Sequence, residues 1–154
     1  MKKIFTLTNI LIALGIVLVI TATSIYFMAK NILKGLIPNI VPGKTVISII
    51  NGTLNLATTI TFPNTSKKNL TVVSVSGTMN RVSDNSVIGN FTTTLNGAIL
   101  LPNQNTSLAI PMNIEGVSTI PDATVVPTPK YELNCDFKVK IGMFTYKVPV
   151  ILYL

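Results

Sequence analysis

The chain has 154 residues, 48% of them apolar and only 11% charged, where a soluble domain carries about 25% charged residues. That length holds one ordinary domain and a membrane segment, with a surface made largely of Thr, Ser and Asn. The net charge of +7 is not gathered into a basic stripe with interleaved aromatics, which speaks against nucleic-acid binding, and the lack of any histidine removes the commonest general base and most zinc sites.

Residues 1–9 form a short N-terminus whose charges are Lys2 and Lys3, and no charged residue follows until Lys30. The stretch 10–29 predicts a transmembrane helix, because twenty helical residues rise about 30 Å, the thickness of a bilayer's hydrocarbon core. Ile10, Leu11, Leu14, Val17, Leu18 and Ile20 supply its dense apolar part, and Tyr26 and Phe27 stand where an interfacial aromatic belt belongs. Thr21, Thr23 and Ser24 are tolerable there if their hydroxyls bond carbonyls one turn back. Lys2, Lys3, Lys30 and Lys34 then meet lipid headgroups on the two sides. The competing reading is a cleaved signal peptide with Ala22-Thr23-Ser24 before the cut; against it, the apolar run resumes at Ile25-Tyr26-Phe27-Met28-Ala29. With few residues before the helix and a long domain after it, an N-in signal anchor is the default, and the following domain lies outside the cytoplasm or faces outward from a virion membrane. Phe5-Thr6-Leu7-Thr8-Asn9-Ile10 also resembles the start of a type IV pilin helix, without that motif's Gly before Phe5 and with Asn9 where it has Glu.

Residues 30–43 predict a juxtamembrane amphipathic segment, with Ile32, Leu33, Leu36 and Ile37 on one side and Lys30 and Lys34 on the other, ended by a stiff linker containing Pro38, Pro42 and Gly43. From residue 44 to 154 the apolar period becomes two, the mark of half-buried strands. Leu54, Leu56, Ile60 and Phe62 share a face interrupted by Thr58. Tyr131, Leu133, Cys135, Phe137, Val139 and Ile141 alternate without a gap, and Phe144, Tyr146, Val148, Val150, Leu152 and Leu154 form a third face. Weaker strands are expected at Val46–Ile50, Leu70–Met79, Val87–Leu95, Ala98–Leu101 and Leu108–Ile114. Asn51-Gly52, Asn96-Gly97 and Gly142 are the expected hairpin turns. Seven to eight such strands predict an all-β fold, a sandwich of two antiparallel sheets behind the N-terminal helix, with Pro111 and Pro149 at edges or bulges. The loop Glu115–Lys130, with Pro121, Pro127 and Pro129, is the longest irregular stretch and a candidate contact site.

Catalytic groupings are hard to assemble from this inventory. The best same-face carboxylates, Glu132 and Asp136, stand four residues apart on a strand, roughly 13 Å between Cα atoms, wider than the roughly 5–9.5 Å between paired glycosidase carboxyls. Asn80-Arg81-Val82-Ser83-Asp84-Asn85-Ser86 offers oxygen ligands but a single carboxylate, so it reads as a polar hairpin loop rather than a calcium site. Cys135, at an apolar strand position, reads as a core residue. Five Asn-x-Ser/Thr sequons, beginning at Asn51, Asn64, Asn69, Asn90 and Asn105, matter only in a host that glycosylates. No metal or cofactor is expected, and no enzymatic activity.

From about Val46 onward the chain resembles the late embryogenesis abundant type 2 group, the water-stress and hypersensitive-response (WHy) domain family. The residues that carry the resemblance are Leu54-x-Leu56-x-x-x-Ile60-x-Phe62-Pro63-Asn64-x-Ser66-x-x-x-Leu70, Val87-Ile88-Gly89, Ile99-Leu100-Leu101-Pro102-Asn103-Gln104-Asn105 and Phe144-Thr145-Tyr146-Lys147-Val148-Pro149-Val150. It implies an immunoglobulin-like β-sandwich, often behind a membrane anchor, that protects membranes or proteins during water stress and has no active site. The expected partner is the lipid bilayer, with other proteins reached through sandwich loops or strand edges. The alternative expectation is a structural component of a larger membrane-associated assembly, such as a cell-envelope complex or a membrane-containing virion.

Overall fold

The alternating segments become seven strands among the residues that the computed structural model describes, 7–50, 53–116 and 131–154. They are β1 (Asn39–Ile50), β2 (Thr53–Asn64), β3 (Leu70–Arg81), β4 (Val87–Leu100), β5 (Gln104–Ile114), β6 (Tyr131–Ile141) and β7 (Phe144–Tyr153), preceded by the helix α1 (Leu7–Lys34). The chain divides into two compact units, Met1–Lys34 and Gly35–Leu154.

Strands β1-β2-β5 make one sheet and β4-β3-β6-β7 the other, every pairing antiparallel. This is an immunoglobulin-like β-sandwich in which the fourth strand pairs with the third rather than with the fifth. Leu54, Leu56, Ile60 and Phe62 of β2 are buried, as are Leu133, Cys135, Phe137 and Val139 of β6. Phe62 meets Phe137 edge to face, with ring centroids 5.2 Å apart and an interplanar angle of 87°. That contact joins the second and sixth strands, the pair that antibody domains cross-link with a disulfide. Thr58, the polar interruption on β2, is buried, and its hydroxyl is satisfied by that of Thr45 at 2.9 Å.

Five strands run beyond the expected bounds, β2 to Asn64, β3 to Arg81 and β5 from Gln104 by simple extension, and β1, β3 and β4 carry irregularities of register. Strand β1 begins at Asn39, so Pro42 and Gly43 lie inside it rather than in a linker. Ile40 pairs with Ile60 and Thr45 with Thr58, leaving residues 41–44 opposite Thr59 alone. An edge strand tolerates this because proline's missing amide is not needed there. Asn96-Gly97 is not a hairpin turn. Both residues have positive φ, 47° and 76°, as the reading required. The strand nevertheless runs on against the same partner, so that the segments expected at Val87–Leu95 and Ala98–Leu101 merge into β4, which ends at Leu100. The partner, β3, carries its own extra residue at Val73, where pairing with both neighbours shifts. Val73 moves the inward phase from Leu70 and Val72 to Val75 and Met79, all four buried.

Other expectations hold. The fully alternating segment is β6 with the bounds expected, Gly142 turns the β6–β7 hairpin at φ 60°, and Pro111 and Pro149 lie on the edge strands β5 and β7. Asn51-Gly52 and residues 117–130 of the proline-rich loop fall outside the described residues, although Ile50 pairs with Thr53 across the former. The pairings place the turns 65–69, 101–103 and 142–143 at the end where β1 begins, and 82–86 at the opposite end.

Candidate membrane-anchoring site

Helix α1 forms where apolar residues run without proline or a strand-like period and without charge until Lys30, and it ends at Lys34, whose charge suits the negative end of the helix dipole. Residues Ile10–Lys34, 25 in all with a mean hydropathy of 2.5 over their most apolar 18-residue window, are long and apolar enough to cross a membrane; a signal sequence meets the same criterion. The helix thus runs five residues past the expected 10–29. Ile10, Leu11, Leu14, Val17, Leu18, Ile20, Tyr26 and Phe27 are all exposed. Thr21 and Thr23 donate their hydroxyls to the carbonyls of Val17 and Val19 at 2.8 and 2.7 Å, which hides those polar groups as expected. Tyr26 and Phe27 touch edge to face at 5.9 Å. Lys30 and Lys34 are exposed, while Lys2 and Lys3 lie outside the described residues. The amphipathic face expected after the span holds as far as Lys34, with Ile32 and Leu33 half-buried and Lys30 and Lys34 exposed, but does not reach Ile37. The helix stops, Leu36 is buried and Ile37 is exposed, so these neighbours turn opposite ways instead of sharing a side.

Three carboxylates of the sandwich, Glu132, Asp136 and Asp84, are engaged separately. Glu132 accepts from the side-chain amides of Asn134 at 3.0 Å and Asn80 at 3.4 Å, and Asp136 pairs with the ammonium of Lys147 at 2.7 Å. Asp84 accepts both the amide and the hydroxyl of Ser86 and pairs with Arg81 at 3.3 Å. Those Ser86 bonds, with the Arg81 charge adding to them, hold its carboxyl below the usual range and close the polar loop between β3 and β4. Among the described residues, no three of His, Cys, Asp and Glu gather closely enough to hold a metal ion. A shallow depression of about 420 Å³ crosses β6 and β7, lined by Asn134, Cys135, Asp136, Pro149, Val150 and Ile151. Its carboxylate is the one Lys147 holds. Its thiol is buried, and burial, with the neighbouring Asp136 charge, pushes it up to about 12.

The Pro63-Asn64-x-Ser66 segment has a structural task. Asn64 is 2% exposed. Its amide donates to the carbonyls of Lys68 at 2.9 Å and Leu100 at 3.0 Å, and its oxygen accepts from the amide and hydroxyl of Ser66 at 3.1 and 2.7 Å. The amide of Asn103 closes the knot on the Ser66 carbonyl at 3.1 Å. One side chain thereby clamps the β2–β3 loop to the end of β4, and the Asn64 sequon is closed to glycan attachment.

With this geometry in view, the chain resembles in fold a solved structure described as a protein from Archaeoglobus fulgidus. The TM-score is 0.52 at 7% identity, covering 75% of this chain and 94% of that one. The shared feature is the fold. No family model matches the sequence, and no curated protein does.

Proposed function

We propose that this protein is a membrane-tethered β-sandwich that acts by binding or shielding at a membrane surface, in the manner of water-stress proteins, and not by catalysis. The observation that carries the reading is α1, whose run from Ile10 to Met28 is uncharged, largely apolar and exposed, which water would not tolerate and a bilayer would. The helix is taken as an N-in signal anchor, with the sandwich outside the cytoplasm. Support for a role without chemistry comes from a chain that lacks histidine and from Glu132, Asp136 and Asp84, each committed to separate partners.

The test is drying. Vesicles carrying the full chain and a trapped dye should retain more dye through a cycle of drying and rehydration than vesicles without it. Equal leakage would end the protective reading.

A second reading, a structural piece of a larger membrane assembly, is favoured by β1, an edge strand whose Val46, Ile47, Ile49 and Ile50 are exposed. Mild detergent extraction followed by sizing separates the two, since a stable species larger than the monomer supports assembly.

A further inference from the structure

The two ends of the sandwich differ in charge. At the end where β1 begins, the loop 65–69 carries Lys67 and Lys68, and Lys140 stands one rung inside the β6–β7 turn, opposite Thr145. Lys138 and Lys147 face each other two rungs deeper. The opposite end carries Asp84, Glu115 and Glu132, with Arg81 paired to Asp84. Among the described residues, no carboxylate lies in the turns 65–69, 101–103 or 142–143.

The lysine-rich end also exposes apolar side chains. Met143, at the tip of the β6–β7 turn, is 88% exposed, its neighbour Phe144 49%, Leu101 in the β4–β5 turn 47%, and Ile37 ahead of β1 62%. Holding a methionine and a phenylalanine at the tip of a hairpin in water is unfavourable unless something apolar receives them. Apolar tips flanked by lysines and free of carboxylates fit an anionic lipid interface, where acyl chains take the tips and phosphates take the ammonium groups. The covalent path agrees. Only residues 35–38 separate α1 from β1, which limits the distance from Lys34 to Asn39 to about 18 Å.

We infer that this end of the sandwich docks on anionic lipid headgroups, with Met143 and Phe144 entering the interface and Lys67 and Lys140 contacting phosphate. The inference rests on the reading of α1 as a membrane anchor. It adds a second attachment, one that depends on lipid charge and holds the domain against the surface.

The test uses the full chain reconstituted into vesicles of phosphatidylcholine alone or mixed with phosphatidylglycerol, with an environment-sensitive fluorophore on Met143→Cys. Cys135 is buried and stays unlabelled in the folded protein. Leu18→Cys on the helix and Ser83→Cys at the opposite end serve as references. The expected result is an apolar signal at Met143→Cys in anionic vesicles only, and an aqueous signal at Ser83→Cys in both. Each lysine near an anionic surface favours the docked state about fivefold, so Lys67→Gln with Lys140→Gln should reduce it about 25-fold. An aqueous signal at Met143→Cys in anionic vesicles, beside an apolar one at Leu18→Cys, would overturn the docking and leave the anchor standing. Equal apolar signals in both lipids would overturn the dependence on charge. An aqueous signal at Leu18→Cys would remove the anchor and the docking together.

Discussion

The two long sides of the sandwich are finished differently. On one side, β4 and β5 come from different sheets yet exchange two backbone hydrogen bonds, Asn90 to Glu115 at 2.9 Å and Glu115 to Asn90 at 2.8 Å. The hydroxyl of Thr93 adds a third to the carbonyl of Pro111 at 2.7 Å. Behind that seam Ile110, Met112 and Ile114 are dry. On the other side, the edges β1 and β7 have no such bridge among the described residues, and the inward-facing Ile47 and Ile49 of β1 remain 41% and 48% exposed. Backbone bonds can close a sandwich more tightly than side chains do, provided one strand gives up its side chain at the crossing. Gly89 does so. A Cβ there would strike the carbonyl of Glu115 and stand 2.7 Å from Cγ2 of Ile114.

The closed side is therefore the place where one added group does most harm. Gly89→Val should cost about 3 kcal/mol, measured as a lower urea midpoint with an unchanged slope. A loss below about 1 kcal/mol would mean that the seam opens easily and that the two sides are less different than their geometry indicates.

Cys135 reports on the open side, because its strand neighbour across β7 is Val150 and water entering past that edge would reach it first. Burial raises the thiol to about 12 in the folded protein, against about 8.5–9 in an unfolded chain. The unfolded state therefore loses its thiol proton first, and stability falls as pH rises between about 9 and 12. At pH 10 the loss is about 1.4 kcal/mol. Relative to the parent protein, Cys135→Ala should flatten stability over that window. An identical slope in both proteins would show that water already reaches the thiol from the open side.

A smaller effect is expected at the seam's third bond. Thr93→Val keeps the shape and removes the donor to Pro111, and should cost about 1 kcal/mol. Native-state hydrogen exchange at Asn90 and Glu115 should quicken along with it, since their bonds belong to the same closure. Exchange unchanged at both positions would make the Thr93 bond incidental.

These contrasts were only partly visible in the residues. Strand β6 is readable because every second position from Tyr131 to Val139 is apolar and buried, leaving one possible phase. The phase change at Val73 is not, because Val72, Val73 and Val75 allow either alternation until two neighbouring strands choose. Pro42-Gly43 and Asn96-Gly97 mark real irregularities, and local chemistry cannot distinguish a bulge, after which the strand keeps its partner, from a turn, after which it acquires a new one. The candidate anchor was legible as composition, since uncharged apolar length needs no tertiary information. The gathering of Lys67, Lys68 and Lys140 at one end follows from topology, which brings positions some seventy residues apart to the same pole.

The least change is expected from charging the outer face of the open edge. Val46 and Ile50 point away from the core, opposite Ala57 and Thr53, and are 63% and 57% exposed. Val46→Lys with Ile50→Lys should move stability by no more than about 0.5 kcal/mol each. The same pair tests why so apolar an edge can be left open. The bulge at residues 41–44 places Pro42 and Lys44 on the edge and leaves only Thr45–Ile50 as regular strand. A run that short, flanked by proline and a charge, is a poor template for another strand. The parent and the double variant should then elute alike in mild detergent, as monomers. If the parent is larger and the lysines reduce it to a monomer, the open side is an assembly edge, and the bulge sets the length of the strand it accepts instead of preventing the pairing.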